Sequence, residues 1–116
     1  MKLGRDERPA GQKCWDKDLS PQCLRVELSD GSLYLFPYHR LHFVRFESEA
    51  TQHQLRLLMD THEICISGKN LRELGAAFQK LTVEWVRELP ARYVATMTGD
   101  DTYIQGIKVG ELEANQ

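Results

Sequence analysis

The sequence predicts an α+β domain: a small, mostly antiparallel β-sheet or partly open barrel of about six to eight strands, with one helix over about residues 70–81 packed on it. Three observations point there. Short runs in which apolar and polar residues alternate recur from Cys23 to Val109, the period of a half-buried strand. Turn-forming pairs such as Asp30-Gly31 and Asp60-Thr61 separate them. One stretch, Leu71, Leu74, Phe78 and Leu81, changes to intervals of three and four, a helical stripe.

A chain of 116 residues, 41% hydrophobic and 28% charged, fits a single globular domain. No run approaches the ~18 apolar residues that span a bilayer, and Met1 to Ala10 is charged without the apolar stretch of a secretory signal. The expectation is a cytoplasmic domain with no membrane partner. Residues 1–20 read as a flexible leader with Trp15 as its one docking residue, 21–110 as the domain and 111–116 as a tail. Cys14, Cys23 and Cys65 are odd in number and lack C-x-x-C spacing, a poor disulfide or zinc framework. Cys23 and Cys65 read as small core residues and Cys14 as part of the polar leader. The net charge of −2 comes with no block of like charges, so nucleic-acid binding would need a local basic patch.

Along the chain, Cys23 to Leu28 alternates with Leu24, Val26 and Leu28 on one face. Asp30-Gly31 predicts a two-residue hairpin turn, which pairs Leu28 with Leu33, Val26 with Leu35 and Leu24 with Pro37. That register leaves Tyr34, Phe36 and Tyr38 on the opposite face with Arg25. Leu41 to Glu47 reads as a third strand. Gln54 to Met59 and His62 to Ser67 form a hairpin aligning Leu57 with Ile64 and Leu55 with Ile66. Asn70 is placed to cap the helix with Glu73 completing a capping box, and Gly75 lies beside the apolar stripe. Thr82 to Arg87 is a strand stopped by Pro90. Arg92 to Met97 and Tyr103 to Val109 read as a last hairpin.

Chemistry-bearing motifs are few. His39-x-x-His42 and His62-x-x-Cys65 have ligand residue types, but a three-residue interval on a strand sends the two side chains to opposite faces. No metal and no cofactor is assigned. Nucleophile-elbow, phosphate-loop and dinucleotide motifs are absent from the sequence, and no catalytic residue is assigned. Asp60, His62 and Glu63 cluster at a turn and mark the position of a ligand or enzyme site, if the chain has one. The aromatic side of the first hairpin is the most informative surface, unless the helix stripe covers it. Tyr34, Phe36 and Tyr38, with Trp85, would dock a protein partner or a second copy of the chain. Arg25, Tyr34, Phe36 and Arg40 would instead stack and neutralise a single-stranded nucleic acid.

Leu24-Arg25-Val26-Glu27-Leu28-Ser29-Asp30-Gly31 resembles the first motif of Sm-like RNA-binding barrels, which ends in an acidic-Gly hairpin. Ile64-Cys65-Ile66-Ser67-Gly68-Lys69-Asn70-Leu71 is similar to their second, a short strand followed by a basic residue and glycine. The resemblance implies a ring-forming barrel whose loops bind uridine-rich RNA. It covers two short strings, and the chain departs from the pattern in several places. Ser67 replaces the basic residue, Leu35-Phe36 offers no glycine to bend the strand, Tyr38-His39-Arg40 lacks the Asp and Asn, and a helix follows the second motif. Membership does not follow. The expected function is a non-enzymatic interaction module that binds a protein partner or itself, with single-stranded RNA or DNA binding as the alternative and small-ligand binding or catalysis third.

Overall fold

The computed structural model describes residues 13–96, 99 and 101–112. Most of the expected leader and of the expected tail lies outside the described residues. The elements are β1 (Trp15–Lys17), β2 (Cys23–Glu27), β3 (Leu33–Pro37), a 3-10 turn (Tyr38–Arg40), β4 (Leu41–Ser48), β5 (His53–Met59) and β6 (His62–Lys69). There follow α1 (Arg72–Gln79), β7 (Val83–Arg87), a second 3-10 stretch (Ala91–Thr96) and β8 (Tyr103–Glu111). The strands form two four-stranded sheets ordered β1-β7-β2-β3 and β4-β5-β6-β8. All described pairings are antiparallel except β2 with β7. This is an α+β fold of mostly antiparallel sheets and not the closed barrel that the Sm-like resemblance implied. No helix among the described residues is long and apolar enough to cross a membrane.

Both sheets turn their apolar faces to one core: Leu24, Val26, Phe36, Val83 and Val86 from the first, and Leu55, Leu57, Met59, Ile64, Ile66 and Ile107 from the second. A bulge lets β7 contribute twice. Asp16 pairs with Trp85 but Lys17 with Val83, so Glu84 is an extra residue, and Val83 and Val86 both point inward although three apart. Helix α1 packs on β4 of one sheet and β7 of the other and adds Leu74, Ala77 and Phe78 to the core.

Several expectations change. Trp15–Lys17, within the stretch 1–20 expected to be a flexible leader, is an edge strand on β7. Cys14 just before it is 3% exposed, its thiol donating to the Thr102 carbonyl at 3.5 Å, whereas Cys23 and Cys65 are only half-buried. The last hairpin has one strand, not two: residues 91–96 are 3-10, and β8 pairs with β6 instead.

The first hairpin is one residue out of the expected register, pairing Leu24 with Phe36, Val26 with Tyr34 and Glu27 with Leu33. A two-residue turn needs positive φ at both Asp30 and Gly31, but only Gly31 has it (+92°). The connection is the three residues Ser29-Asp30-Gly31, closed by Leu28 N–H to Ser32 O at 2.9 Å and Gly31 N–H to Leu28 O at 3.1 Å. The Asp30 carboxylate accepts from Ser32 N–H at 2.8 Å, and the hydrogen bonds from Ser32 hold its carboxyl below the usual range. A one-residue slip turns over every side chain of β3. The second hairpin keeps the expected register, Leu55 with Ile66 and Leu57 with Ile64.

Asn70 does not cap the helix. Its φ is +56°, and its side-chain amide donates to the carbonyls of Gly99 (2.6 Å) and Asp101 (2.9 Å). The capping position is Leu71, which has no side-chain cap, and His53 Nδ1 from β5 accepts the Leu71 N–H at 3.0 Å. At the other end Leu81 leaves the stripe: it is 47% exposed with φ +56°. Thr82 N–H bonds Ala77 O at 3.1 Å and Leu81 N–H bonds Phe78 O at 3.0 Å, the paired closure that follows a left-handed residue. Leucine is strained there and glycine is not. Leu81→Gly is therefore expected to raise stability by about 1 kcal/mol in equilibrium urea unfolding.

Candidate interaction surface

The register of β3 decides which groups reach the surface. Leu28–Ser32 and Gln22–Tyr38 backbone bonds, 2.9 Å each, bracket the β2–β3 ladder. By the alternation of an antiparallel pair, Tyr34 and Phe36 direct their N–H and C=O groups to β2. Leu33, Leu35 and Pro37 direct theirs to the open edge, where β3 has no neighbouring strand among the described residues. The same two leucines project from the outer face, 53% and 61% exposed.

Behind them the outer face of the first sheet is organised in rows. One runs Leu35, Arg25, Trp85, Asp16 across β3, β2, β7 and β1, and the next runs Leu33, Glu27, Arg87. The guanidinium carbons of Arg25 and Arg87 lie 5.8 and 4.9 Å from the Trp85 ring centroid. Glu27 accepts from Arg25 at 2.8 Å and sits 4.0 Å from Arg87. The Arg87 guanidinium also donates to the Lys13 carbonyl. The cations and the ring thus hold one another flat against the sheet, and the two leucines stand beside them.

The aromatics expected to share this surface separate. Trp85 is on it. Tyr34 and Phe36 point between the sheets, their rings stacked at 5.6 Å with the edge of His62 at 6.2 and 5.5 Å. His62 of the opposite sheet meets both rings. Tyr38 is half-buried and donates its hydroxyl to Val83 O at 2.6 Å, and burial pushes its phenol pKa up. Arg25 and Arg40 do not converge either. Arg25 belongs to the Trp85 row, while Arg40 pairs with Asp60 at 2.8 Å. The four residues considered for nucleic acid form no single platform.

Asp60, His62 and Glu63 also diverge. His62 faces inward, and Glu63 lies on the outer face of the second sheet, bonded to Arg56 at 2.8 Å. No group of three or more His, Cys, Asp or Glu among the described residues is placed to hold a metal ion. Asp60 is clamped between His42 (2.5 Å) and Arg40, and these hydrogen bonds, the His42 one first, hold its carboxyl below the usual range. A depressed carboxyl stabilises the fold above its ordinary pKa, and that contribution disappears as pH falls through the lowered value. Asp60→Asn should therefore be less stable than the parent near neutrality, the gap closing below about pH 4 in pH-resolved urea unfolding.

Two features escaped the sequence. A groove of about 460 Å³ opens between α1 and the second sheet, lined by Val44, Phe46, Leu55, Gly75 and Phe78, with Arg72 over the Phe46 ring at 5.0 Å. Glu88 bridges the sheets, its carboxylate accepting from Ser29 N–H at 2.6 Å and Ile107 N–H at 2.8 Å. Both depend on chain segments far apart in sequence.

The site and fold together define a small two-sheet α+β domain with an apolar, backbone-open sheet edge. Family models, curated proteins and solved structures give no match to the chain.

Proposed function

We propose that this domain is a non-enzymatic, cytoplasmic interaction module that takes up an extended protein strand at the β3 edge. The observation that carries it is the coincidence of Leu33 and Leu35: outward side chains, well exposed, on the residues whose backbone groups face the open edge. Soluble proteins blunt such edges with charge, proline or a covering segment. β3 has Pro37 at one end only, and among the described residues nothing bonds the outward backbone of Leu33 or Leu35. Strand addition meets these groups with main-chain hydrogen bonds and alternate side-chain contacts. Three free cysteines accord with a reducing compartment. Nucleic acid is the less favoured reading, because the aromatics it would stack on face the core.

Amide hydrogen exchange tests the proposal, with a synthetic extended peptide of about six residues alternating Leu and Thr as probe. Saturating peptide should protect the amides of Leu33 and Leu35 and leave those of Tyr34 and Phe36, already bonded to β2, unchanged. Leu35→Lys should abolish the effect. Protection confined to other segments, or none, would refute strand addition.

A further inference from the structure

We infer that the strand accepted at this edge is β3 of a second copy of the chain, paired antiparallel about a two-fold axis at Tyr34. The inference rests on the strand-addition reading above and adds the partner and the register.

The edge itself selects both. Leu33 and Leu35 are the β3 residues that offer an outward N–H as well as an outward C=O, whereas Pro37 offers a carbonyl only. Setting Leu33 against the second copy's Leu35, and Leu35 against its Leu33, makes two hydrogen-bonded pairs. Every outward N–H of the strand is then used. Shifting the axis to Leu35 would oppose Leu33 to Pro37 on each side and leave a Leu33 carbonyl without a donor. The Pro37 defect, which would weaken pairing with a longer strand, falls outside the symmetric register. The match is isologous, one short patch meeting itself, as a closed dimer requires.

Side chains and charge agree. The four leucines fall on one face as direct cross-strand neighbours. The row across the seam would read Arg87, Glu27, Leu33, then the second copy's Leu35, Arg25 and Trp85. Each leucine pair is thus flanked by a glutamate on one side and an arginine on the other, and no like charges meet. The contact is small, two short strands and four leucines, at the low end of specific interfaces. A dissociation constant on the order of tens of micromolar is expected.

Sedimentation equilibrium over a concentration series should show the mass rising from 13.4 kDa toward twice that value, with the Leu33 and Leu35 amides gaining protection in parallel. Leu35→Lys puts a charge at an already exposed edge position and should weaken association by about tenfold or more while leaving the circular dichroism spectrum unchanged. Leu35→Pro, which removes one outward N–H, should do the same if it folds. For register, Leu33→Cys and Leu35→Cys are made separately in a Cys23→Ser, Cys65→Ser background. Oxidation of the mixture should give the cross-linked heterodimer, and either variant alone should not. A mass fixed at 13.4 kDa throughout would overturn self-pairing. If the synthetic peptide still protects Leu33 and Leu35 in that case, strand addition stands with a different partner, and if it does not, both readings fall. Cross-linking of Leu35→Cys alone would overturn the register.

Discussion

Gly68→Ala is expected to be the most damaging single-methyl change in the chain, costing more than about 3 kcal/mol or preventing folding altogether. Gly68 ends the part of β6 where the ladder with β8 changes step: Ser67 pairs with Gly106 but Gly68 with Ile104, so Gln105 is the extra residue. A Cβ on Gly68 would overlap the Tyr103 carbonyl oxygen and lie 2.9 Å from its carbon and 3.0 Å from the Ile104 Cα. All three are backbone atoms that cannot rotate aside, and moving them would pull β8 off the sheet. At Gly75 an added Cβ would meet only Leu55 at 3.5 Å and Phe46 at 3.8 Å, ordinary packing distances. Urea unfolding of Gly68→Ala measures the effect, and a midpoint within error of the parent would mean that the bulge relaxes.

Phe78→Ala should cost ~3–5 kcal/mol, the range for emptying a buried aromatic site. Phe78 is 1% exposed, the largest of the fully buried side chains, and belongs to the helix that packs on both β4 and β7. Its removal would open the core where three elements meet, beside a groove that already holds space. The same substitution at Leu81, on the helix that the stripe seemed to include, should cost little because that side chain already faces solvent. Near-equal losses at the two positions would place the helix core elsewhere.

How much of this was legible depended on whether the deciding physics was local. The Leu55–Ile66 and Leu57–Ile64 pairs were readable because one face of each strand is fully buried and a slip would expose it. The first hairpin has the stronger turn signal, yet its register was missed. Asp-Gly fits a two-residue turn and a three-residue loop ending in glycine equally well. Leucines and aromatics alternate on β3, so either face could have been inside. From that slip came the exposed aromatic surface, which the structure turns inward, and the edge leucines, which no sequence pattern singled out. Asn70 carried a correct signal for a helix start but is occupied by carbonyls about thirty residues away. Cys14 and β1 were invisible because their partners, Thr102 and β7, are supplied by distant chain.

The parallel pairing of β2 with β7 has a consequence for synthesis. Strands β4 to β6 are contiguous, so their meander can form as soon as they leave the ribosome. The first sheet cannot: β1 and β2 must both wait for residues 83–87, some sixty or seventy positions later. Until then β2–β3 is an isolated hairpin open on both flanks, with Leu33 and Leu35 outward and Leu24 and Val26 not yet covered. Non-local closures of this kind slow folding and lengthen the exposure of sticky edges. The nascent chain is therefore most vulnerable in the interval between the emergence of β3 and the docking of β7, and β3 is where misassociation during translation would begin.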